Sequence, residues 1–248
     1  MSDLLVLSAA GFVAGVMNAM AGGGTFVTIP ALVWMGTPSL VANASSTVAL
    51  FPGQLASTWA YRSNLADFGA VSLRSLLIVS IAGGFAGALL LLLTPERAFE
   101  VIIPWLLLIA TLTFAFGAQA GAALRRHVRI GPVMLLGLQF VLAIYGGYFG
   151  GGVGIMMMAA WSLLQSADLR IMTPARTCLV AATNAVAVIC FMVAGVVEWS
   201  ATLAMLIAAI VGGYAGARLA LAMNVKVLRA AILFISSAMT LAFFQRAY

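Results

Sequence analysis

Ten apolar stretches run through the chain, and they constrain its fold more than any other feature of the sequence. Eight of them approach or exceed the roughly 20 residues that a helix needs to cross the hydrocarbon layer of a membrane. Only 7% of the 248 residues are charged and 64% are hydrophobic, whereas a soluble domain is about one-quarter charged. Because so few polar side chains cannot cover a water-facing surface, the sequence predicts an all-α polytopic membrane protein.

The bounds of the apolar stretches predict the positions of the helices. Met1-Ser2-Asp3 contains no basic residue, so we expect the first stretch to be a retained span rather than a cleavable signal. The predicted helices cover about residues 3–21, 25–36, 39–61, 70–93, 97–118, 131–149, 152–164, 171–196, 199–222 and 225–245.

Two runs of three glycines interrupt this pattern, at Gly22–Gly24 and at Gly150–Gly152. Consecutive glycines end a helix because glycine loses the most backbone freedom on folding. The segments that follow, 25–36 and 152–164, are too short to cross a membrane comfortably. Each break therefore lies either within one interrupted span or at the tip of a hairpin that reverses direction inside the membrane.

The basic residues distinguish these two topologies. If the chain reverses at each break, ten of the twelve basic residues fall on one side, and Arg97 and Arg246 fall on the other. If each break lies within a continuous crossing, the basic residues divide six and six. Since basic residues accumulate in cytoplasmic loops, the hairpin topology is favoured. It predicts that both termini are periplasmic and that the loop Arg125–Arg129 is cytoplasmic.

The two halves of the sequence resemble each other. The hexapeptide at 83–88, GGFAGA, matches GGYAGA at 212–217, and the triple glycines occupy similar places in each half. Each half has five segments, an odd number, so the second half is predicted to enter the membrane from the opposite side. The corresponding loops of the two halves differ in charge as this inversion requires, since a loop that is basic in one half is not basic in the other. We expect one repeat at 1–120, a basic cytoplasmic linker at 121–130 and a second repeat at 131–248. The glycine pairs 83/87 and 212/216 are expected to allow close helix packing.

The triple glycines are the first candidate site. Inverted-repeat transporters bind substrate near the membrane midplane at interrupted helices, and a helix that starts after a break offers free N–H groups and a positive dipole end to an anion. The alternative is that the glycines only permit close packing, but packing does not require three in a row. The predicted contacts are Asn18, Gly22, Gly23, Gly24, Thr25, Gly150, Gly151 and Gly152.

A second polar cluster lies in the third segment, at Asn43, Ser45 and Ser46, with a counterpart at Arg176 and Thr177 in the eighth. Single serines and threonines are tolerated in membrane helices because they bond to their own backbone, whereas a run of them favours a substrate site. Arg176 lies near the start of its segment. It is either a snorkelling anchor or a charge that attracts an anion at the inner mouth, and both interpretations remain open.

Several classes of function lack support in the sequence. No Asp, Glu, Lys or His lies in the middle of an apolar segment, and no catalytic or metal-ligand cluster is present. We therefore expect no enzyme activity, cofactor or metal, and no nucleic-acid binding, since the net charge of +6 comes from short loops. Cys178 and Cys190 lie twelve positions apart in one segment, roughly 18 Å on a continuous helix, so they cannot pair with each other. A thiol-redox or assembly factor that uses these cysteines is one alternative function, and a passive anion channel is another.

The sequence also resembles a known family. The stretch GFVAGVMNAMAGGGTFVTIPALVWMGTPSLVANASSTVAL, with YRSNLADF after it, is similar to the first half of TauE/SafE permeases, the sulfite exporter and toluene-sulfonate uptake group. GGYFGGGVGIMMM, PART and GVVEW are similar to the second half. Ser45-Ser46 and Thr177-Cys178 stand where many members have a Thr-Ser pair.

The resemblance implies a multi-pass secondary transporter in the bacterial inner membrane. Its expected substrate is a small anion such as sulfite, sulfoacetate or another sulfonate, and its expected direction is export without ATP. The resemblance implies that both glycine breaks, the Asn43/Ser45/Ser46 cluster and Thr177 line the pathway. A proton or a sodium ion as the coupling ion, and a homo-oligomer, remain open.

Overall fold

The computed structural model describes residues 2–21, 23–67, 71–124, 131–161, 169–220 and 225–248. Gly22 and the predicted basic loop at 125–129 lie outside these residues. The described residues form ten α-helices and a 3-10 turn at Arg62–Asn64. The helices are α1 (Ser2–Ala21), α2 (Thr25–Trp34), α3 (Ser39–Tyr61), α4 (Leu73–Leu93), α5 (Glu96–Leu124), α6 (Pro132–Tyr148), α7 (Val153–Trp161), α8 (Leu169–Val193), α9 (Trp199–Ala220) and α10 (Val225–Ala247).

Each predicted apolar segment coincides with one of these helices, and every start agrees within three residues. The largest difference is at the end of α5, which continues to Leu124, six residues past the predicted end. The six added residues, QAGAAL, contain three alanines. Alanine is the strongest helix former, so the helix continues although the stretch is less apolar.

The helices have the length and the surface of a membrane protein. Among the described residues, Leu73–Leu93, Glu96–Gly117 and Met172–Val193 are each long and apolar enough to cross a membrane, and shorter apolar helices accompany them. Large apolar side chains face outward, including Ile207 at 64% and Val141 at 62% exposure. An outer surface of this kind suits lipid rather than water, which confirms the all-α polytopic membrane class.

The packing between helices repeats across the two halves. When α1 to α5 are exchanged with α6 to α10 in order, the α1–α9 contact becomes α6–α4, and α3–α9 becomes α8–α4. The α5–α7 contact becomes α10–α2, while α3–α8 and α5–α10 each map onto themselves. All of these contacts are present, as a two-fold relation between the halves requires. The orientation of each half in the bilayer stays a prediction.

Glycines let the helices of the two halves approach closely, as expected. A Cβ on Gly87 of α4 would lie 2.1 Å from the Ile144 carbonyl oxygen of α6. A Cβ on Gly212 of α9 would lie 2.0 Å from the Phe12 carbonyl oxygen of α1. These distances are too short for any side chain, so the packing role predicted for these glycines is confirmed. The surroundings of Gly216 lie outside the described part of the chain.

Helices α3 and α8 pack against each other and run antiparallel. Asn184 of α8 bonds to Gln54 of α3, with 2.8 Å between Nδ2 and Oε1. One turn further along α3, the Thr58 hydroxyl lies 3.3 Å from the Thr177 carbonyl oxygen. The C-terminal half of α3 therefore faces α8 between Thr177 and Asn184, and the candidate site lies between the two helices.

Candidate functional site

The second glycine break is a tight turn between α6 and α7. Gly150 and Gly152 have φ of +77° and +74°, a backbone conformation that glycine adopts readily and other residues avoid. The Tyr145 hydroxyl of α6 donates to the Gly151 carbonyl at 2.9 Å, which fixes the turn against the preceding helix. The first turn of α7 therefore starts directly at the break, with Val153 as its first residue.

The first glycine break uses close packing instead. Gly24 caps α2 with right-handed backbone angles, and a Cβ there would lie 2.6 Å from the Ala14 carbonyl oxygen of α1. A Cβ on Gly23 would meet only side chains, the nearest 3.4 Å away. Thr25, the first residue of α2, is only 9% exposed. The two breaks thus start helices α2 and α7 in different ways.

A cavity of about 90 Å³ lies where these two helix starts meet α3 and α8. Because about 10–15 Å³ is enough to hold one water molecule, it has room for several waters or for one compact ion. Its lining residues come from both halves of the chain. They are Asn18, Thr25, Thr47, Leu50, Gln54, Ser57, Tyr61, Gly150, Val153, Gly154, Arg176, Thr177, Val180 and Asn184.

The predicted site residues divide into two groups. Asn18, Thr25, Gly150, Arg176 and Thr177 come together in the lining of this cavity, although they are spread over the whole sequence. The other glycines of the breaks, Gly23, Gly24, Gly151 and Gly152, shape the backbone beside the cavity and are not among its lining residues, and Gly22 lies outside the described part of the chain. The structure thus places five predicted residues around one space.

Arg176 is the only charged side chain among the described lining residues. Its aliphatic stem lies against the first turn of α7, because a Cβ on Gly154 would be 3.2 Å from the Arg176 Cδ. Within the described residues, the one ion pair joins Arg246 to Glu100 at 3.8 Å, so no described carboxylate neutralises Arg176. A positive charge and a helix N-terminus at the same cavity both favour an anion.

Most hydroxyl groups in the lining already donate to their own helix. Thr47 donates to the Asn43 carbonyl at 3.0 Å, Ser57 to Gly53 at 2.9 Å and Thr177 to Thr173 at 3.0 Å. A hydroxyl has a single hydrogen to donate, so in this conformation these groups offer oxygen lone pairs to the cavity. The donors left for an anion include the Arg176 guanidinium, the first N–H groups of α2 and α7, and side-chain amides.

The Asn43, Ser45 and Ser46 cluster lies outside this lining. The Asn43 Nδ2 donates to the Tyr148 carbonyl at 2.9 Å, and the Ser45 Oγ accepts from the Glu198 N–H at 2.9 Å. The Ser46 Oγ lies 2.5 Å from the Thr28 Oγ1. These three buried side chains therefore join α3 to the end of α6, the start of α9 and α2, and a direct contact with substrate stays a prediction.

The predicted set missed five polar residues that line the cavity, Thr47, Gln54, Ser57, Tyr61 and Asn184. Their spacing in the sequence could have identified the missed residues of α3. The lining residues of this helix recur every three or four positions from Thr47 to Tyr61, as residues on one face of a helix do. A helical projection of the third segment places Gln54 and Ser57 on the same face as Thr47. Single polar residues in an apolar segment are therefore informative when they share a face.

The cavity extends toward one end of the helix pair. Along α3 its lining runs from Thr47 to Tyr61, which is roughly 21 Å of helix. Along α8 it runs from Asn184 back to Arg176. Tyr61 is 41% exposed, so the mouth lies where α3 ends. In the predicted topology this is the basic, cytoplasmic side.

Comparison with known proteins agrees with the membrane fold. A family model described as "Sulfite exporter TauE/SafE" matches residues 7–243. A probable membrane transporter protein, ORF9, of Sinorhizobium sp is 30% identical over 242 residues, covering 96% of this chain and 91% of the relative. A probable membrane transporter protein of Haemophilus influenzae is 29% identical, covering 96% and 93%. YfcA of Escherichia coli, also named a probable membrane transporter protein, is 26% identical, covering 95% and 87%.

No solved structure gives a significant match to the chain. The family match covers nearly the whole sequence and both of its halves. The relatives align over almost their full lengths, so the likeness is not confined to one segment. The chain therefore belongs to the TauE/SafE family of membrane transporters.

Proposed function

We propose that the chain is a secondary transporter of a small anion, such as sulfite, sulfoacetate or another organosulfonate, and that Arg176 binds this anion in the cavity. The observation that carries the proposal is the Arg176 guanidinium, the only charge among the described lining residues, for which the described residues offer no carboxylate partner. Arg176 is half-buried, and a charge that is partly withdrawn from water without a partner is destabilised. An anion in the cavity supplies that partner.

The starts of α2 and α7 support the same proposal. Thr25 and Val153 begin these two helices and both line the cavity. The first N–H groups of a helix have no intrahelical acceptor, and the positive end of the helix dipole favours an anion by about 0.3–1 kcal/mol. With Arg176 they form a set of donors that surrounds one small space, and this set contains no acidic side chain that would repel an anion.

Alternating access between the two repeats is the proposed mechanism. The cavity opens where α3 ends, on the predicted cytoplasmic side, which suits loading of an anion for export across the bacterial inner membrane. Toward the other end of α3, the bonds of Asn43, Ser45 and Ser46 to α6, α9 and α2 hold the helices together. Rocking one half against the other would open that side, as in other inverted-repeat transporters.

Transport into proteoliposomes tests the proposal. The purified chain is reconstituted, and uptake of labelled sulfite is compared for the native chain, Arg176→Gln and Arg62→Gln. Arg62 is the matched control because its exposed guanidinium stacks on Trp59 and donates to the Trp59 carbonyl, and it is not among the residues that line the cavity. A hydrogen bond to a charged group contributes about 1.5–3 kcal/mol, so Arg176→Gln should weaken apparent affinity about 10- to 100-fold. Equal uptake by all three proteins would refute the assigned role.

The same vesicles separate a transporter from a passive channel. A proton gradient and a sodium gradient are imposed in turn, and the internal concentration of labelled sulfite is followed. Accumulation above the external concentration under one gradient supports secondary transport and identifies the coupling ion. Equilibration without accumulation under either gradient would favour the passive anion channel.

A further inference from the structure

Two amide side chains in the cavity are not explained by binding of a simple anion. Asn184 of α8 is 3% exposed, and its Oδ1 has no hydrogen-bond partner. Its Nδ2 donates to the Gln54 Oε1 of α3 at 2.8 Å, and both residues line the cavity with Arg176. A buried acceptor without a donor costs about 1–3 kcal/mol. An oxyanion accepts hydrogen bonds and therefore needs donors. Binding of an oxyanion alone does not explain an unpaired carbonyl acceptor in the Asn184–Gln54 pair.

The Asn184–Gln54 pair leaves one carbonyl and one NH₂ group unpaired in either orientation of the two amides. Each amide has one carbonyl oxygen and one NH₂ group. The bond between Asn184 and Gln54 uses one carbonyl and one NH₂, so one carbonyl and one NH₂ always remain. If both amides rotate by half a turn, the free carbonyl moves from Asn184 to the half-buried Gln54. The Asn184 Oδ1 is enclosed in the observed orientation, so a ligand reaches the free carbonyl of the pair when the amides are turned and that carbonyl belongs to the half-buried Gln54.

We infer that the cavity selects a monoanion that carries its own hydrogen-bond donor, with the charge on Arg176 and the donor on the Asn184–Gln54 pair. This inference rests on the proposed anion site. Arg176 is the one charged side chain among the described lining residues. Its single positive charge matches a ligand with a single negative charge. The free carbonyl takes an O–H or N–H of the ligand, such as the hydroxyl of a hydroxy-substituted sulfonate or carboxylate, or the proton of a hydrogen oxyanion. A fully ionised oxyanion leaves this carbonyl unpaired.

Matched pairs of anions test the inference on the purified full-length chain. Ethanesulfonate and 2-hydroxyethanesulfonate differ by one hydroxyl, and so do acetate and 2-hydroxyacetate. Binding of each anion is measured by calorimetry or by competition with labelled sulfite. In the native chain the hydroxylated member of each pair should bind about tenfold more tightly, the effect of one satisfied hydrogen bond.

Two variants assign the preference to the amide pair. Asn184→Leu and Gln54→Leu each remove one amide, and each should reduce the tenfold preference to less than about twofold, whatever its effect on the affinity for ethanesulfonate itself. Retained ethanesulfonate binding also shows that the variant has folded, and the second variant serves if the first is unstable.

Different results would refute the proposed anion site and the selection of a ligand that carries a hydrogen-bond donor. Equal binding of hydroxylated and plain anions by the native chain would overturn the selection of a donor while leaving the anion site intact. A tenfold preference that persists in both variants would overturn the role of Asn184 and Gln54. If the native chain binds none of these anions and no sulfite, the proposed anion site fails, and this inference fails with it.

Discussion

The Gly24→Ala substitution tests whether the first glycine break is fixed by close packing. The new Cβ would lie 2.6 Å from the Ala14 carbonyl oxygen and 3.2 Å from the Ala14 carbonyl carbon. These are backbone atoms of α1, so the start of α2 must shift rather than a side chain. Inserting a methyl group into a packed core costs about 1–3 kcal/mol. For a chain of this size, 1 kcal/mol corresponds to about 2–4 °C in Tm, so the expected loss is about 2–12 °C.

Gly23→Ala is the matched control for this prediction. Its Cβ would meet the Phe26, Ile232 and Met17 side chains at 3.4–3.7 Å, which is ordinary contact, and Gly23 is not among the glycines with positive φ. Alanine at such a position reduces the freedom of the unfolded chain, a gain of about 0.4–1 kcal/mol.

Thermal unfolding of both variants in detergent, followed by circular dichroism, gives the comparison. Because Thr25 follows Gly24 and lines the cavity, Gly24→Ala should also weaken binding of labelled sulfite, whereas Gly23→Ala should not. A Gly24→Ala protein as stable as the native chain would show that the close approach of α1 and α2 is wrong.

Three further predictions concern other parts of the chain. Ser46→Ala removes a buried bond to Thr28 and should lower stability by about 1 kcal/mol, measured as a Tm loss of about 2–4 °C; an unchanged Tm would contradict the bond. A reporter fused at Arg126 should read cytoplasmic, and a periplasmic signal would overturn the hairpin topology. Cys178 and Cys190 are both free thiols on α8, so replacing both with serine should leave sulfite uptake unchanged, whereas loss of uptake in a folded protein would favour the thiol-redox alternative.

The sequence predicted the helices well because membrane physics sets their length. The backbone N–H and C=O groups of each apolar stretch must form hydrogen bonds within the stretch when it lies in lipid, and an α-helix forms all of these bonds. The glycine breaks then fix where the short helices α2 and α7 begin, and the observed starts at Thr25 and Val153 follow the glycines directly. The extension of α5 to Leu124 escaped prediction because hydropathy sets the membrane crossing and does not set where an alanine-rich helix ends.

The site was predicted in part, because sequence identifies polar residues but not the neighbours that they meet. Arg176 and Thr177, two of the predicted residues, line the cavity, and their contact with substrate stays a prediction. Asn43 lies one turn before Thr47 on the same face of α3, yet its amide bonds to the Tyr148 carbonyl. That carbonyl is brought there by the end of α6, more than 100 positions away in the chain. Such a partner depends on the packing of the two halves, and the sequence of one segment contains no sign of it.

Binding of labelled sulfite to the purified chain at low ionic strength, compared between the native protein and Arg176→Gln, tests whether Arg176 binds the anion. We expect saturable binding by the native chain and about 10- to 100-fold weaker binding by the variant, at equal Tm. Saturable binding of the same affinity by Arg176→Gln would contradict the claim that Arg176 holds the anion between the two repeats.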